Sequence, residues 1–275
     1  MNQNSCVICG CVKNCEKYLI DVFSNIKKIQ SLFKTTKILM SFDMSNDYTL
    51  KILCGLKKEF DMDIIINKDP VTPSRTVNIE RARNKLLDTI YDKYNTWDYF
   101  IMIDMDDVAS KPIYIESLID GMNKKEEWDG LFFNNMNYYD YWALSFDDFI
   151  YSCWHVDNPK KVINLMNRKF KKTIKDTMLL ECKSAFGGFG IYKIPSFVNC
   201  RYSSMIDLKL FENYDFKTIE DKYNIKYKVD NIYDCEHRYF HMNAINMNKA
   251  RLRISNKCLF PPYSGEHTNI LDKFF

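Results

Sequence analysis

The sequence predicts an α/β fold in which a mostly parallel sheet is flanked by helices. The alternation of two kinds of segment predicts it. Across residues 5–107, short apolar runs alternate with segments whose apolar residues recur every three or four positions. This alternation is typical of βαβ units, whose strands lie parallel in one sheet. Beyond residue 110 the pattern is less regular, so we expect one domain, 1–275, with a regular lobe (1–107) and a less regular lobe (108–275).

Four strands and three helices are expected in the first lobe. The strands are short apolar runs bounded by polar or turn residues, at 5–12, 37–42, 62–66 and 97–103. The helices are marked by apolar residues at helical spacing, in Leu19–Phe33, Leu50–Phe60 and Ile79–Ile90, the last helix beginning near Arg75. In such sheets, ligands bind beyond the carboxyl ends of the strands.

Composition excludes several classes of protein. The chain has 275 residues, 46% of them hydrophobic, so disorder is not its main state. A formal charge of +3 gives no strong basic field, and we expect no nucleic-acid partner. No apolar run approaches the roughly 20 residues of a spanning helix, which predicts no integral membrane segment. The first residues lack the features of a signal peptide, so we expect a cytoplasmic protein with free thiols.

Four of the ten cysteines lie close together, at Cys6, Cys9, Cys11 and Cys15. Their spacing superficially resembles a metal cluster, but structural zinc sites usually use two ligand pairs separated by a longer loop. Residues 5–12 read instead as a buried strand with small apolar thiols. We expect the strand, and a thiol-cluster metal module is the alternative.

The strongest chemical signal is the acidic sequence Asp104-Met105-Asp106-Asp107, directly after the fourth strand. Carboxylates two residues apart in a loop can hold Mg²⁺ or Mn²⁺, which proteins bind with one or two carboxylates plus phosphate oxygens. Such a cation neutralises a diphosphate leaving group. The alternative is an acidic turn that only ends the strand, but the position after strand four favours a site.

In this order and spacing, four segments resemble the nucleotide-sugar-dependent glycosyltransferases of the GT-A (Rossmann-like) fold, of viral or bacterial type. The segments are residues 7–20, Ser41–Thr49, Arg81–Asn84 and the DxD-like Ile103–Asp107. The resemblance implies transfer of a sugar from a nucleotide diphosphate sugar, above all a UDP-sugar, to a hydroxyl of a glycan, protein or lipid. It also implies Mn²⁺ or Mg²⁺ as cofactor.

The resemblance implies roles for single residues of the first lobe. The residues that would contact the nucleotide are Gly10, Cys11, Asp43, Arg81, Asn84 and Asp104. Asp106 would bind the metal most directly, with Asp104 sharing it. Arg suits phosphate because its guanidinium binds phosphate oxygens in a fork. The alternative for Arg81 and Arg83 is a charge on a solvent-facing helix surface.

The second lobe would hold the acceptor. Phe186–Gly190 resembles the glycine loop of the family, where Gly187 and Gly188 let the backbone approach the sugar; a simple turn is the alternative. Trp142 is a candidate for stacking on a sugar, although aromatic residues are more often core. An inverting transferase needs a carboxylate to take the acceptor proton, and Glu236 is the candidate, with Asp234 as its substitute; a retaining enzyme, the open alternative, needs no such base. The commoner pattern of the family has two adjacent acids, and here His237 takes the second place.

Histidines are the remaining candidate metal ligands. Enzymes of this type often use a histidine near the C-terminus as a further ligand, which favours His267 and then His237. His237 and His241 are four residues apart and would share one face of a helix. His155 is expected to have a structural role.

Two other functions stay open from the residues. A sugar-phosphate nucleotidyltransferase would also use acids and a metal, but it usually needs a glycine- and lysine-rich loop, of which Gly10–Asn14 is a poor version. A carbohydrate-binding protein without turnover is the second alternative, against which the three acids at 104–107 argue. The basic run at 160–178 is expected to be a solvated helix face or a loop.

Overall fold

The computed structural model describes residues 3–228 and 233–262. The first half consists of β1 (Ser5–Val12), α1 (Leu19–Gln30), β2 (Thr35–Phe42), α2 (Thr49–Leu56), β3 (Met62–Ile66), α3 (Arg75–Lys93) and β4 (Tyr99–Asp104). The second half consists of α4 (Ile115–Asn123), β5 (Gly130–Asn134), α5 (Pro159–Asp176), β6 (Leu179–Glu181), β7 (Phe189–Lys193), α6 (Phe216–Tyr223), α7 (Glu236–Asn248) and β8 (Leu252–Cys258).

All eight of these strands belong to one sheet, in the order β3-β2-β1-β4-β7-β5-β8-β6. Strands β1 to β4 are mutually parallel, and β5 is parallel to β8. Only β7 and β6 run antiparallel to their neighbours. The predicted mostly parallel sheet is confirmed, and it continues without a break across the boundary between the two predicted lobes.

Helices cover both faces of the sheet because alternate strand residues bury apolar side chains on opposite sides. In β1, Val7 and Cys9 join one core with residues of α3, α5 and α7. Cys6 and Ile8 join the other core with residues of α1, α2 and α4. The two cores lie on opposite faces of the sheet.

The same alternation decides between the two readings of the N-terminal cysteines. The strand is confirmed at Ser5–Val12. Cys9 and Cys11 pack on one face of the sheet, whereas Cys6 and Cys15 pack on the other. A single metal ion cannot collect thiols from both faces of a sheet, so the metal-module alternative is wrong.

The second helix is shorter than the sequence predicts. Helix α2 ends at Leu56, not near Phe60, because residues 57–59 form a turn. The basic run forms the helix α5, which is the first of its two expected forms, and Phe216–Tyr223 form α6. No helix within the described residues is long and apolar enough to cross a membrane.

Gly10 of β1 packs against Met105 of the acidic loop, and this predicts a difference between two glycines. A Cβ on Gly10 would lie 2.7 Å from the Met105 sulfur, whereas nothing lies within 4 Å of a Cβ on Gly55 in α2. We expect Gly10→Ala to lower the stability by about 1–3 kcal/mol through overpacking. Gly55→Ala, the control, should raise it by up to about 1 kcal/mol because alanine favours helix. Thermal melts of both variants check this, and equal melting temperatures would contradict it.

Candidate active site

Polar side chains gather at the carboxyl edge of the sheet, where the loops after β1, β2 and β4 open side by side. Asp104 is the last residue of β4 and lies opposite Cys11 of β1. Cys11 in turn lies opposite Ser41 of β2, and Asp43 follows that strand directly. The strand register therefore brings three of the predicted site residues to one edge.

Arg83 is the centre of this region. Its side chain projects from α3 and is only 6% exposed. Its Nη2 donates to the Asp104 carboxylate at 3.2 Å, and its Nη1 donates to the Glu236 carboxylate and contacts His237 Nε2. The guanidinium carbon also lies 4.7 Å from the centre of the Phe186 ring. We call Arg83, Asp104, Glu236 and His237 the Arg83 cluster.

Burial controls the charges within the Arg83 cluster. Burial raises the pKa of Glu236 above its ordinary value, although the Arg83 charge opposes the shift. The pKa of Arg83 is raised because the charges of Glu236 and Asp104 outweigh burial, so the guanidinium stays positive. A carboxyl with a raised pKa, held in place by a permanent cation, is suited to accepting a proton near neutral pH.

His237 is bound to Arg83, and this fixes its tautomer. A guanidinium can only donate, so His237 Nε2 accepts and the ring proton resides on Nδ1. Nδ1 is buried and has no hydrogen-bond partner among the described residues. Burial and Arg83 lower the pKa of His237, which keeps the ring neutral. In this arrangement neither nitrogen offers a lone pair to a cation, so His237 does not fit the predicted metal-ligand role.

The other histidines have separate environments. His241 shares a face of α7 with His237, as the spacing predicts, and the ring centroids are 5.4 Å apart. Its Nδ1 is hydrogen-bonded to the Ser184 hydroxyl at 3.0 Å, and its Nε2 to the Tyr192 hydroxyl at 3.1 Å. His155 Nε2 lies 2.9 Å from a main-chain oxygen. His267 lies outside the described residues.

Asp104 and Asp106 are the carboxylates that fit a divalent cation. Burial, followed by the Asp104 charge, raises the pKa of Asp106 to about 7. Two carboxylates that repel each other in this way are stabilised by a bound cation, and their oxygens are the ligands that Mg²⁺ and Mn²⁺ prefer. Within 3–228 and 233–262, however, no three His, Cys, Asp or Glu side chains form a group that could hold a metal ion. Phosphate oxygens of a ligand would have to complete the coordination.

The glycine loop lies directly against Asp104. Gly187 and Gly188 have φ values of +63° and +85°, in the left-handed region that favours glycine. The Gly188 carbonyl accepts from the Asp104 N–H at 2.9 Å. On its other side, the Asp140 carboxylate accepts from the Gly187 N–H at 2.9 Å. Asp140, which the sequence analysis did not select, therefore holds this loop beside the end of β4.

Asp234 and Trp142 meet at a second buried arginine, Arg238. One oxygen of Asp234 accepts from Arg238 Nε at 2.8 Å, and the other accepts from the Cys235 N–H at 2.6 Å. Arg238 also donates to the main-chain oxygen of Trp142, whose buried indole N–H has no hydrogen-bond partner within 3–228 and 233–262. Both oxygens of Asp234 are thus occupied, whereas Glu236 points to the Arg83 cluster.

The residues predicted to contact the nucleotide lie in different parts of this region. Asp43 and Arg81 line one cleft beside Asn67, whose amide donates to Asp43 at 2.8 Å. Cys11 lies at the strand edge, where burial raises the pKa of its thiol to about 12 despite the Arg83 charge. Gly10 is buried beneath Met105. Asn84 lies apart, since its amide group makes two hydrogen bonds to the main chain of Tyr202, both at 2.9 Å.

Arg83 is the residue that sequence reasoning underestimated, although a signal for it was present. The apolar stripe of α3 includes Ile79, Leu86 and Ile90, and Arg83 occupies the position between the first two. A charged residue within an apolar stripe must be paired if the stripe is buried. Arg81, on the other hand, lies off the stripe and bonds the Pro70 carbonyl near the surface.

Comparisons with known proteins identify the fold. No family model matches the sequence, and no curated protein matches it. Among solved structures, the chain is similar to glucosyl-3-phosphoglycerate synthase from Mycobacterium tuberculosis in complex with phosphoglyceric acid. The TM-score is 0.51 at 10% identity, over 98% of this chain and 75% of the synthase. The mixed α/β sheet flanked by helices is therefore that of GT-A glycosyltransferases.

Two further matches are weaker. The same synthase in complex with Mn²⁺, UDP and phosphoglyceric acid matches with a TM-score of 0.48 and 10% identity, over 98% of this chain and 73% of the synthase. TarS from S. aureus matches with a TM-score of 0.49 and 14% identity, over 98% of this chain. The chain spans 38% of the length of that TarS structure.

The Arg83 cluster predicts a strong dependence of stability on one arginine of α3. Arg83→Met leaves the buried Glu236 carboxylate without its cation, and we expect a loss of about 3–5 kcal/mol. The double variant Arg83→Met/Glu236→Gln should recover part of this loss, because a neutral amide then replaces the buried carboxylate of residue 236, and only the partly exposed Asp104 remains without its cation. Arg81→Met is the matched control, with a change within about 0.5 kcal/mol. Urea unfolding measures all three, and equal effects of the two single variants would refute the cluster.

The raised pKa of Asp106 predicts that replacing this residue stabilises the protein to an extent that depends on pH. With a pKa of about 7, above the value near 4 of an unfolded aspartate, this carboxyl makes the native state progressively less stable as pH rises between the two values. In chelator, Asp106→Asn should therefore be more stable than the parent at about pH 8, by on the order of 1–4 kcal/mol. The difference should disappear towards about pH 4. Unfolding curves across this range test it, with the exposed Glu59→Gln as control; a difference independent of pH would contradict it.

Proposed function

We propose that the chain is a metal-dependent glycosyltransferase that moves a sugar from a nucleotide diphosphate sugar, expected to be a UDP-sugar, to an acceptor hydroxyl. One observation carries the proposal. Arg83 joins Asp104, at the end of β4, to Glu236, at the start of α7. The acidic loop expected to bind the donor and the carboxyl expected to act as base are thus joined through one buried arginine.

The donor would bind along the carboxyl edge of the first four strands. The cleft lined by Asp43, Asn67 and Arg81 offers hydrogen-bonding groups of the kind that a base and a ribose need. Asp104 and Asp106 would hold Mn²⁺ or Mg²⁺. When bound, such a cation neutralises the charge of a diphosphate leaving group. The fold shared with glucosyl-3-phosphoglycerate synthase supports this placement.

Glu236 would accept the proton of the attacking hydroxyl. Burial raises the pKa of Glu236 towards neutral pH, and a general base is most efficient when its pKa lies near the working pH. Arg83 orients the carboxylate and is a positioning residue in this reaction, since it contacts both acids and stays positive. Gly187 and Gly188, held by Asp140, would let the acceptor or the sugar approach the backbone beside Asp104.

Two variants separate the donor side from the base. Glu236→Gln should lower kcat by about 10²–10⁴-fold, because the amide cannot accept a proton, while donor binding is retained. Asp106→Asn should abolish the metal-dependent thermal stabilisation by UDP or a UDP-sugar. The measurements are UDP release with a panel of sugar donors and acceptors, and thermal shift with and without Mn²⁺.

The exposed Glu59→Gln serves as the control for both assays and should leave them unchanged. Full activity in excess chelator would refute the metal-dependent reaction. Pyrophosphate release from a nucleoside triphosphate and a sugar phosphate would indicate a nucleotidyltransferase. Sugar binding without any response to nucleotides would indicate a binding protein.

A further inference from the structure

Helix α5 concentrates the positive charge of the chain. It contains seven of the 39 basic residues and one of the 36 acidic ones, so its formal charge is +6. The whole chain has a charge of +3, and everything outside this helix therefore carries −3. Positive charge is therefore concentrated on one helix, and the rest of the chain has a net negative charge.

The seven basic side chains of α5 fall into three sets, which are Lys160 and Lys161 in the first turn, Lys169, and four others further along the helix. Lys169 lies beside the carboxylates of Asp147 and Asp148 and is neutralised locally. The four others form an outer stripe that is exposed and makes no ion pair with any residue in 3–228 or 233–262. This outer stripe consists of Arg168, Lys171, Lys172 and Lys175.

The stripe is fixed in place by the opposite face of the helix. Val162, Ile163, Met166, Phe170 and Ile174 are buried in the core that covers one side of the sheet. Residues three, four and seven positions apart lie on one side of a helix, so the four charges point together away from the protein. Because the apolar face is already occupied, α5 cannot insert into another hydrophobic phase and can act only through its charges.

We propose that the outer stripe of α5 is a peripheral docking surface for an anionic lipid bilayer. Four cations on one rigid helix complement a surface of clustered lipid phosphates or carboxylates. Met178, which is 63% exposed two residues beyond the helix, adds an apolar side chain at the same end. The exposed residues of the helix include no aromatic side chain on which a base could stack, which favours a lipid surface over single-stranded nucleic acid.

The docking surface does not depend on the proposed transfer reaction, and its test uses no activity. The full chain is sedimented with vesicles of phosphatidylcholine alone and of phosphatidylcholine mixed with phosphatidylglycerol. We expect binding only to the anionic vesicles and weakening of that binding as salt is raised. The test variant is Arg168→Gln/Lys171→Gln/Lys172→Gln/Lys175→Gln. Each charge removed should weaken binding about fivefold.

The matched control removes four other exposed lysines, in Lys27→Gln/Lys28→Gln/Lys57→Gln/Lys58→Gln, and so has the same net charge. Glutamine favours helix about as well as lysine, and the melting temperature of each variant verifies that it folds. The proposal holds if only the α5 variant loses binding. Equal loss in both variants, no binding of the parent to anionic vesicles, or binding to an RNA oligonucleotide but not to vesicles would overturn it.

Discussion

A permanent cation buried in the protein is the constraint on which the site depends. The guanidinium of Arg83 cannot release its proton, so the surrounding chain has to supply negative charge wherever the side chain lies. Asp104 supplies it from the end of β4, and Glu236 supplies it from the first turn of α7. Helix α3, one central strand and a helix from the far end of the chain are thereby held in one relative position. The neutral ring of His237 completes the cluster without adding a competing charge.

The antiparallel strand β7 contributes what the parallel strands cannot. Parallel strands all end at the same edge, whereas β7 begins there, because it runs against β4. The turn before it, Gly187–Gly188, therefore lies at the end of β4. The Gly188 carbonyl accepts a hydrogen bond from the Asp104 N–H. The carboxylate of Asp140 holds the turn from the other side. The direction of β7 thus makes the glycine turn a neighbour of the acidic loop.

The first half of the fold could be predicted because each element there repeats a local pattern. Strands β1, β3 and β4 and helices α1 and α3 follow from apolar spacing that needs no knowledge of distant partners. The site was harder, since it depends on long-range pairing. The sequence marks Asp104 and Glu236 as acids, and the apolar stripe of α3 indicates that Arg83 is paired. It does not indicate that Arg83 joins both acids, one of which is 153 positions away. Asp140 and the engagement of Asp234 by Arg238 likewise follow from tertiary contacts.

The place of β7 in the sheet also bears on the order in which the chain can fold. It stands between β4 and β5, although both precede it in sequence, so the edge of β4 remains open until β7 has been synthesised and inserted. An open edge of an apolar central strand is a template for pairing with other chains. The first lobe is thus a poor candidate for an independent folding unit, and the growing polypeptide has to protect β4 during the synthesis of the 84 residues that separate it from β7.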